Sequence, residues 1–362
     1  MRRNRIRTGV RVYREQGLAG VAGVLLQRLA DRPNARGGTS TSAQPKGTQQ
    51  LRACHLHELF PNHDGNVFPC CLTWNRPEMR IGNLADSNLA DKIRSFRGTC
   101  SCERYELRAA LASDTPDYAV MNIEFPLTCQ GKCAMCAVGA PDWKGSYEYY
   151  DALTQLVTKC LPRRLSVQGG EVLIQKKTIA WLYEMKERQP DVEIGLITNG
   201  NVSLDSVTTT EDLFNDVLIS FAGFQPETYA RIMGMDVTRA ILFSEELVRR
   251  NKVKVTLKYL ATPLNVHETS GFLEWGIGVS PEECLVQDAS LLRYINRGVR
   301  DRFWDKIFDR TGIEIRRVID GNCEALRSAR MKIRFDTHCL QIYGIDDDYL
   351  EANSDIVGTL MN

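Results

Sequence analysis

Residues 119–139 read AVMNIEFPLTCQGKCAMCAVG, a short apolar run followed at once by three cysteines. The run is the first of several that alternate with stretches of helical character. Such alternation predicts an α/β fold with a parallel sheet, because each strand returns through a helix to the same end of the sheet. Cys129, Cys133 and Cys136 then lie in the loop after the first strand, where functional residues of parallel sheets collect.

Five further apolar runs repeat this pattern. The predicted strands are 119–125, 164–168, 193–198, 216–222, 254–261 and 284–289. The predicted helices between them are 147–160, 176–188, 226–233 and 238–251. Six β/α repeats with right-handed crossovers predict a partial (β/α)6 TIM-like barrel over residues 116–290.

The three cysteines of the first loop have the spacing CxxxCxxC, which suits a metal centre. The chain has 362 residues and twelve cysteines, and no secretory signal is recognisable, which favours metal ligands in a reducing cytoplasm over disulfides. Three thiolates can hold three irons of a [4Fe-4S] cubane and leave the fourth iron open to a small chelate. Zinc is the alternative, with a fourth ligand from a distant part of the chain.

This loop resembles the signature CxxxCxΦC of the radical S-adenosylmethionine (SAM) superfamily, with Met135 at the hydrophobic position. Three later motifs match the family in order, namely SVQGGE (166–171), LITNG (196–200) and LISFAGFQPETYARIMG (218–234). The resemblance covers residues 118–290. It implies a radical SAM enzyme whose cofactors are a [4Fe-4S] cluster, held by the three cysteines, and SAM.

The resemblance also implies SAM-binding residues at three successive strand ends. They are Gly169, Gly170 and Glu171 against the SAM amino group, Thr198 and Asn199 near the ribose, and Ser220 near SAM. Val172 stands where the family often has proline. Gly-Gly and Asn-Gly pairs also form ordinary turns, so each motif has a purely structural alternative.

A second group of cysteines lies in residues 51–115, before the predicted barrel. This segment resembles the SPASM-type auxiliary-cluster region in DGNV (64–67), in the Pro-Cys-Cys that follows and in a predicted helix near 87–96. The resemblance implies a second [4Fe-4S] cluster. Its candidate ligands are Cys54, Cys70, Cys71, Cys100 and Cys102, with Cys70 or Cys71 as the spare thiol.

The auxiliary region departs from the family in two ways. It precedes the barrel instead of following it, and it ends in CSC where the family has CxxC. Zinc bound by Cys54, His57, Cys70 and a later cysteine is the alternative. His55 and His63 are expected to be exposed loop residues.

Three segments flank these two regions. Residues 1–36, with nine Arg and two acidic residues, predict a basic amphipathic helix; docking on the protein body is favoured over contact with an anionic membrane. Residues 37–50 have the composition of a flexible linker. Residues 291–362 are expected to form an α+β extension that caps the barrel, with a helical stretch at 291–310 and a strand at 331–335.

The overall charge and hydropathy narrow the classes of partner. The formal net charge is +1, so no strong field favours nucleic acid as partner. No apolar run is long enough for a membrane span. A cytoplasmic protein is therefore expected.

The resemblance implies a reaction driven by an external electron donor such as flavodoxin or ferredoxin. SAM would be cleaved to a 5′-deoxyadenosyl radical that abstracts a hydrogen atom from a peptide or sugar-like substrate, giving oxidation, a cross-link or epimerisation. Cys284, on the sixth strand, is the candidate hydrogen donor for epimerisation. Lys258, Tyr259 and Asp288 are candidates for contacts with polar substrate groups.

Two other classes of protein remain open at this point. One is a zinc-stabilised interaction protein, and the other is a non-catalytic iron–sulfur electron carrier. Cys323 and Cys339 lie in the C-terminal region, where buried thiols are ordinary core residues.

Overall fold

The computed structural model describes residues 52–53, 58–71, 73–74, 76–96, 99–100, 119–134, 136, 143–262, 264–288 and 308–359. The chain divides into two units, Met1–Gln50 and Leu51–Asn362. The predicted N-terminal helix (1–36) and linker (37–50) lie outside the described residues. So does most of the helical stretch predicted at 291–310.

Thirteen strands are found in the described residues. They are β1 (Arg52–Ala53), β2 (Glu58–Pro61), β3 (Asn66–Phe68), β4 (Gly82–Asn83), β5 (Thr99–Cys100), β6 (Val120–Glu124), β7 (Arg164–Gln168), β8 (Glu193–Thr198), β9 (Asp216–Phe221), β10 (Lys254–Ala261), β11 (Glu283–Asp288), β12 (Lys332–Phe335) and β13 (Val357–Thr359). The six predicted strands correspond to β6–β11, and the strand predicted at 331–335 to β12.

The described helices connect these strands. They are α1 (Leu89–Ser95), α2 (Tyr150–Cys160), α3 (Lys176–Arg188), α4 (Ser206–Leu213), α5 (Pro226–Met233), α6 (Val237–Arg250), α7 (Thr269–Val279), α8 (Phe308–Gly321), α9 (Cys323–Ala329), α10 (Thr337–Ile342) and α11 (Asp347–Ala352). The predicted helices near 87–96, 147–160, 176–188, 226–233 and 238–251 are confirmed within three residues. None of the described helices is long and apolar enough to cross a membrane.

Eleven of the strands form one sheet, in the order β13-β12-β11-β10-β9-β8-β7-β6-β2-β3-β4. Neighbouring strands from β6 to β13 pair in parallel and in sequence order. The α/β fold with a parallel sheet is therefore confirmed. The carboxyl ends of these strands lie at one edge, where the loops that follow them meet.

The sheet has one apolar face and one polar face. Leu257, Cys284 and Ile333 are paired neighbours on the apolar face and are fully buried. Because side chains alternate along a strand, the residues between them point to the other face. There Ser220 and Lys258 are paired neighbours and are only partly buried.

The cysteine-rich segment extends this sheet. β2 pairs in parallel with β6, and β3 and β4 follow as antiparallel edge strands. Asp64 and Gly65 lie in the turn between β2 and β3, as the DG pair predicts, and Gly65 has φ +75°. These three strands thus belong to the main sheet, whereas β1 and β5 form a separate two-stranded sheet. An auxiliary-cluster domain in this segment stays a prediction.

The C-terminal extension adds to the opposite edge. β12 pairs in parallel with β11, and β13 with β12. The described part of residues 291–362 therefore lengthens the sheet with parallel strands. The sequence predicts a cap because one short strand and several helices carry no sign of which edge they join.

Candidate functional site

The cysteine loop leaves β6 at its carboxyl end and is anchored on two sides. Its first half runs beside the chain that follows β7, where Gly170 N–H donates to the Pro126 carbonyl (3.0 Å) and Glu171 N–H to that of Thr128 (2.8 Å). Its second half is bound to the end of α5. There the N–H groups of Lys132 and Ala134 each donate across 2.8 Å to a helix carbonyl.

The three cysteines of this loop are near neighbours. Burial, followed by the nearby thiols of Cys129 and Cys136, raises the pKa of Cys133 to about 12. Burial is also the main cause of a raised pKa at Cys129. Among the residues that the structure describes, no three Cys, His, Asp or Glu side chains are placed to hold a metal ion together. Met135 lies outside the described residues.

Gly170 has to be glycine because the two backbones touch at this point. A Cβ built on it would lie 2.2 Å from the Thr128 carbonyl oxygen and 2.5 Å from the Leu127 carbonyl carbon. Neither contact is possible without a backbone shift. Gly170 therefore lets the β7 end approach the cysteine loop, a role that leaves SAM binding at Gly169 and Gly170 a prediction.

Glu171 is fully buried and binds protein groups. Its carboxylate accepts hydrogen bonds from Leu173 N–H (3.1 Å), Thr198 Oγ1 (2.7 and 2.8 Å) and Asn199 N–H (2.9 Å). Burial raises its pKa, against these hydrogen bonds. The enclosed carboxylate ties the end of β7 to the end of β8, and its direct contact with the SAM amino group stays a prediction.

Asn199 continues this connection to the cysteine loop. Its side-chain Nδ2 lies 3.7 Å from Cys129 Sγ as a donor, and Gly131 N–H donates to the same sulfur across 3.3 Å. Gln130 Nε2 donates to Asn199 Oδ1 (3.2 Å) and to the Asn201 carbonyl (2.9 Å). Gln130 and Asn201 were not predicted as site residues, although Gln130 lies inside the cysteine motif and Asn201 directly follows LITNG.

Cys284 lies on the apolar face, not toward the interior as expected, and its role as a hydrogen donor stays a prediction. It is fully buried and its Sγ lies 2.5 Å from the position of a Cβ built on Gly276 of α7. It therefore points toward the helices and away from the face that carries Ser220 and Lys258. Alternation predicts that strand residues change faces, but the sequence does not say which set faces the helices.

The candidates for substrate contacts divide in the same way. Tyr259 is fully buried on the apolar face and donates its hydroxyl to the Asn265 carbonyl (2.7 Å). Asp288 shares that face and is 2% exposed. Lys258, on the polar face, is the candidate whose position suits contact with a ligand.

His63 was expected to be an exposed loop residue, and the structure corrects this. Its Nδ1 lies 2.5 Å from Glu124 Oε2, and the two side chains are 14% and 6% exposed. Burial lowers the pKa of His63, but the hydrogen bond and charge of Glu124 outweigh it, so the net pKa is raised. The pair joins the β2–β3 turn to the last residue of β6, just before the cysteine loop.

The auxiliary cysteines are described only in part. Cys54, Cys102, His55, His57 and the Cys100 side chain lie outside the described residues. β1 pairs antiparallel with β5, which sets Arg52 opposite Cys100. Cys70 is buried, and Cys71 is half-buried with its N–H donating to Glu58 Oε1 (2.8 Å).

The donor set of the first loop fits an iron–sulfur cluster. Its three sulfurs come from one anchored loop, and soft thiolates favour iron–sulfur clusters or zinc over hard cations. Among the described residues, the buried hydroxyl of Tyr229 has no partner at normal hydrogen-bond distance, and the Asn201 side chain lies near enough to affect its pKa. A buried donor without a protein partner is suited to bind a ligand that the chain itself does not supply.

Comparison with solved structures finds three kinds of likeness. SuiB from Streptococcus suis, bound to S-adenosylmethionine, is 15% identical, with a TM-score of 0.46 over 62% of this chain and 52% of that chain. AnSMEcpe, with bound AdoMet and Kp18Cys peptide, is 16% identical, with a TM-score of 0.45 over 59% and 63%. HydG, a maturase of the [FeFe]-hydrogenase, is 12% identical, with a TM-score of 0.39 over 76% and 62%.

The match spans about half the length of the SuiB chain. No family model matches the sequence, and no curated protein matches it. At these identities and TM-scores, the function proposed below rests on the residues of this chain.

Proposed function

We propose that this protein is a radical SAM enzyme with a partial-barrel core. One observation carries the proposal: the cysteine triplet and the two next strand-end motifs form one connected site. Glu171 binds Thr198 and Asn199, and Asn199 in turn reaches Cys129. Motifs that are 70 residues apart in sequence are thereby joined at the edge of the sheet where ligands of parallel folds bind.

Cys129, Cys133 and Cys136 would hold the [4Fe-4S] cluster. Such a cluster, reduced by an electron donor such as flavodoxin or ferredoxin, would supply the one electron needed for reductive cleavage of SAM. Backbone hydrogen bonds on both sides of the loop would keep its three thiols in one neighbourhood. Gly131 N–H and Asn199 stabilise the Cys129 sulfur as a thiolate by hydrogen bonding.

The chain's own residues would bind SAM beside this loop. Gly169 and Gly170 bring backbone close to the ligand, and Thr198 and Asn199 shape the neighbouring turn. Ser220 and Lys258 lie on the polar face and are partly buried, which suits contact with SAM and substrate. Glu171 acts as a positioning residue, since it holds two loops together and has no exposed oxygen to offer.

The substrate would be a peptide or a sugar-like molecule, as the family resemblance implies. Oxidation or cross-linking requires an acceptor for the substrate's electron, a role open to a second cluster in the cysteine-rich segment. Epimerisation requires a hydrogen donor on the polar face, and the orientation of Cys284 argues against it as that donor.

The test is SAM cleavage by anaerobically reconstituted protein in the presence of dithionite. The expected product is 5′-deoxyadenosine, and simultaneous replacement of Cys129, Cys133 and Cys136 by Ala should abolish it. Cys160→Ala is the matched control, because Cys160 is a partly buried thiol at the end of α2. The proposal fails if the triple variant cleaves SAM as well as the control.

The two alternative classes give different results in the same preparation. A colourless protein with stoichiometric zinc indicates the zinc-stabilised interaction protein. A brown protein that leaves SAM intact indicates an iron–sulfur electron carrier.

A further inference from the structure

Tyr229 carries a buried hydroxyl that the folded chain does not use. Its side chain is fully buried, and in the described part of the chain its oxygen has no partner at normal hydrogen-bond distance; the Asn201 side chain is near enough to lower its pKa, against the effect of burial. An unsatisfied buried polar group costs about 1–3 kcal/mol, so such groups call for a physical explanation. A Phe at this position would fill nearly the same volume without that cost.

Tyr229 lies close to the cysteine loop. It lies on α5, three and four residues before Ile232 and Met233, whose carbonyls accept the N–H groups on either side of Cys133. Residues three and four apart share one face of a helix. Tyr229 therefore lies on the face of α5 that contacts this loop, and the Cys133 thiol is close enough to help raise the pKa of the phenol after burial has done so.

The sulfurs of Cys129 and Cys133 have unequal surroundings. Cys129 Sγ receives the Gly131 N–H at 3.3 Å and the Asn199 amide at 3.7 Å. Cys133, by contrast, packs against the hydrophobic core. A buried thiolate is stabilised mainly by hydrogen bonds donated to it, because water cannot solvate it. Cys133 is thus the sulfur for which an additional donor matters most.

We propose that the Tyr229 hydroxyl is the hydrogen-bond donor to the Cys133 thiolate when the cluster is bound, and that it raises the cluster's reduction potential. Hydrogen bonds to ligand sulfurs withdraw negative charge and favour the reduced, more negative cluster. Tyr229 is then a positioning and tuning residue. This inference rests on the proposed function in so far as it requires a cluster at the cysteine triplet.

The test compares Tyr229→Phe with wild-type protein after anaerobic reconstitution. The measured quantity is the midpoint potential of the cluster, from a redox titration followed by EPR. The expected result is a shift to more negative potential with an unchanged iron content. The same substitution in metal-free protein should leave the urea midpoint unchanged or raise it, because it removes an unsatisfied hydroxyl.

Tyr147→Phe is the matched control. Tyr147 also has a buried hydroxyl without a partner, but it packs against Phe125, Tyr149 and Tyr150 instead of the cysteine loop. Its replacement should leave the potential unchanged. An unchanged potential in Tyr229→Phe, or an equal shift in both variants, overturns the inference.

A failure of the proposed function is recognised separately. In that case the wild-type protein itself takes up no iron, or its reduced cluster leaves SAM intact. The potential of a bound cluster can be measured whether or not SAM is cleaved. The comparison of wild type with Tyr229→Phe therefore remains valid if the protein is an electron carrier.

Discussion

Gly170 is the residue at which a single carbon atom decides whether the site can form. Its Cβ position overlaps backbone atoms of Thr128 and Leu127, so Gly170→Ala has to push the cysteine loop away from β7. We expect this variant to lose about 1–3 kcal/mol of stability, the usual cost of overpacking. The measurement is the free energy of unfolding in urea.

Gly278→Ala is the control for Gly170→Ala. Gly278 lies in α7 with open space around its Cβ position, so alanine there should gain up to about 1 kcal/mol from helix propensity. Equal unfolding midpoints for the two variants would show that the close approach at Gly170 does not constrain the fold.

Glu171 tests the difference between a positioning residue and a ligand contact. In Glu171→Gln one carboxylate oxygen becomes an NH2 group, which cannot accept from Thr198 or Asn199. We expect the metal-free variant to lose about 1.5–3 kcal/mol, the range for hydrogen bonds to a charged group. If Glu171 instead contacted SAM, metal-free stability would be unchanged and only SAM affinity would fall. Glu184→Gln, on the exposed side of α3, is the control.

The turn between β2 and β3 is held to β6 by the His63–Glu124 ion pair. The folded-state pKa of His63 is raised above 6.5, so the pair's contribution to stability is complete below about pH 6.5. It is lost as the pH rises through the raised value, where His63 loses its proton. We expect the melting temperature of the wild type to fall over this interval, and His63→Gln to remove that part of the pH dependence.

Asp64 also faces the His63 ring, with 3.5 Å between its Oδ2 and Nε2, so Asp64→Asn should weaken the effect without abolishing it. His267→Gln serves as the histidine control, because the side chain of His267 is 60% exposed. A His63→Gln profile that runs parallel to wild type would mean that the pair is not maintained in solution.

The element that the sequence could not place is β2. Its residues ELFP have no alternation of polar and apolar side chains, so nothing in them indicates pairing with β6, about 60 residues later. The six strands of the main repeat were predictable because each is an apolar run between helical stretches. The His63–Glu124 pair was not predictable, since its partners are 61 residues apart and meet only through the β2–β6 pairing.

At the scale of the molecule, the length of β6 separates Cys71 from the Cys129 loop. Glu58, which binds the Cys71 N–H, pairs with Val120 at the start of β6, whereas the Cys129 loop begins beyond Glu124 at its end. Five residues of strand span about 13 Å. Two clusters at these positions would be neighbours that do not share ligands.

This separation predicts independent losses of iron. Reconstituted Cys71→Ala should retain SAM cleavage and fall from about eight to about four irons per chain, because each [4Fe-4S] cluster binds its own thiolates. Cys70 is buried at 4% exposure, so Cys70→Ala should lower stability more than iron content. Iron analysis and the 5′-deoxyadenosine assay decide the matter, and loss of cleavage in Cys71→Ala would contradict the separation.

The positions of most candidate site residues along the chain could be predicted from the sequence. The directions in which their side chains point could not. The cysteine triplet and the GGE and TNG motifs were placed at the correct strand ends because parallel strands finish at one edge. The face on which Cys284 lies could not be predicted, because alternation along a strand does not show which set of side chains faces the helices. The burial of Glu171 was also invisible, because the sequence does not show that Thr198 and Asn199 would occupy its oxygens.

The hydrogen bonds that hold the cysteine loop on both sides bear on how the protein would respond to oxygen. The backbone around these thiols is held by β7 on one side and α5 on the other, through bonds that involve no metal. Loss of iron from the proposed cluster would therefore leave the backbone of the loop in place, with its three cysteines still on one anchored segment. Reassembly of the proposed cluster from iron, sulfide and a reductant would then not require the loop to fold again.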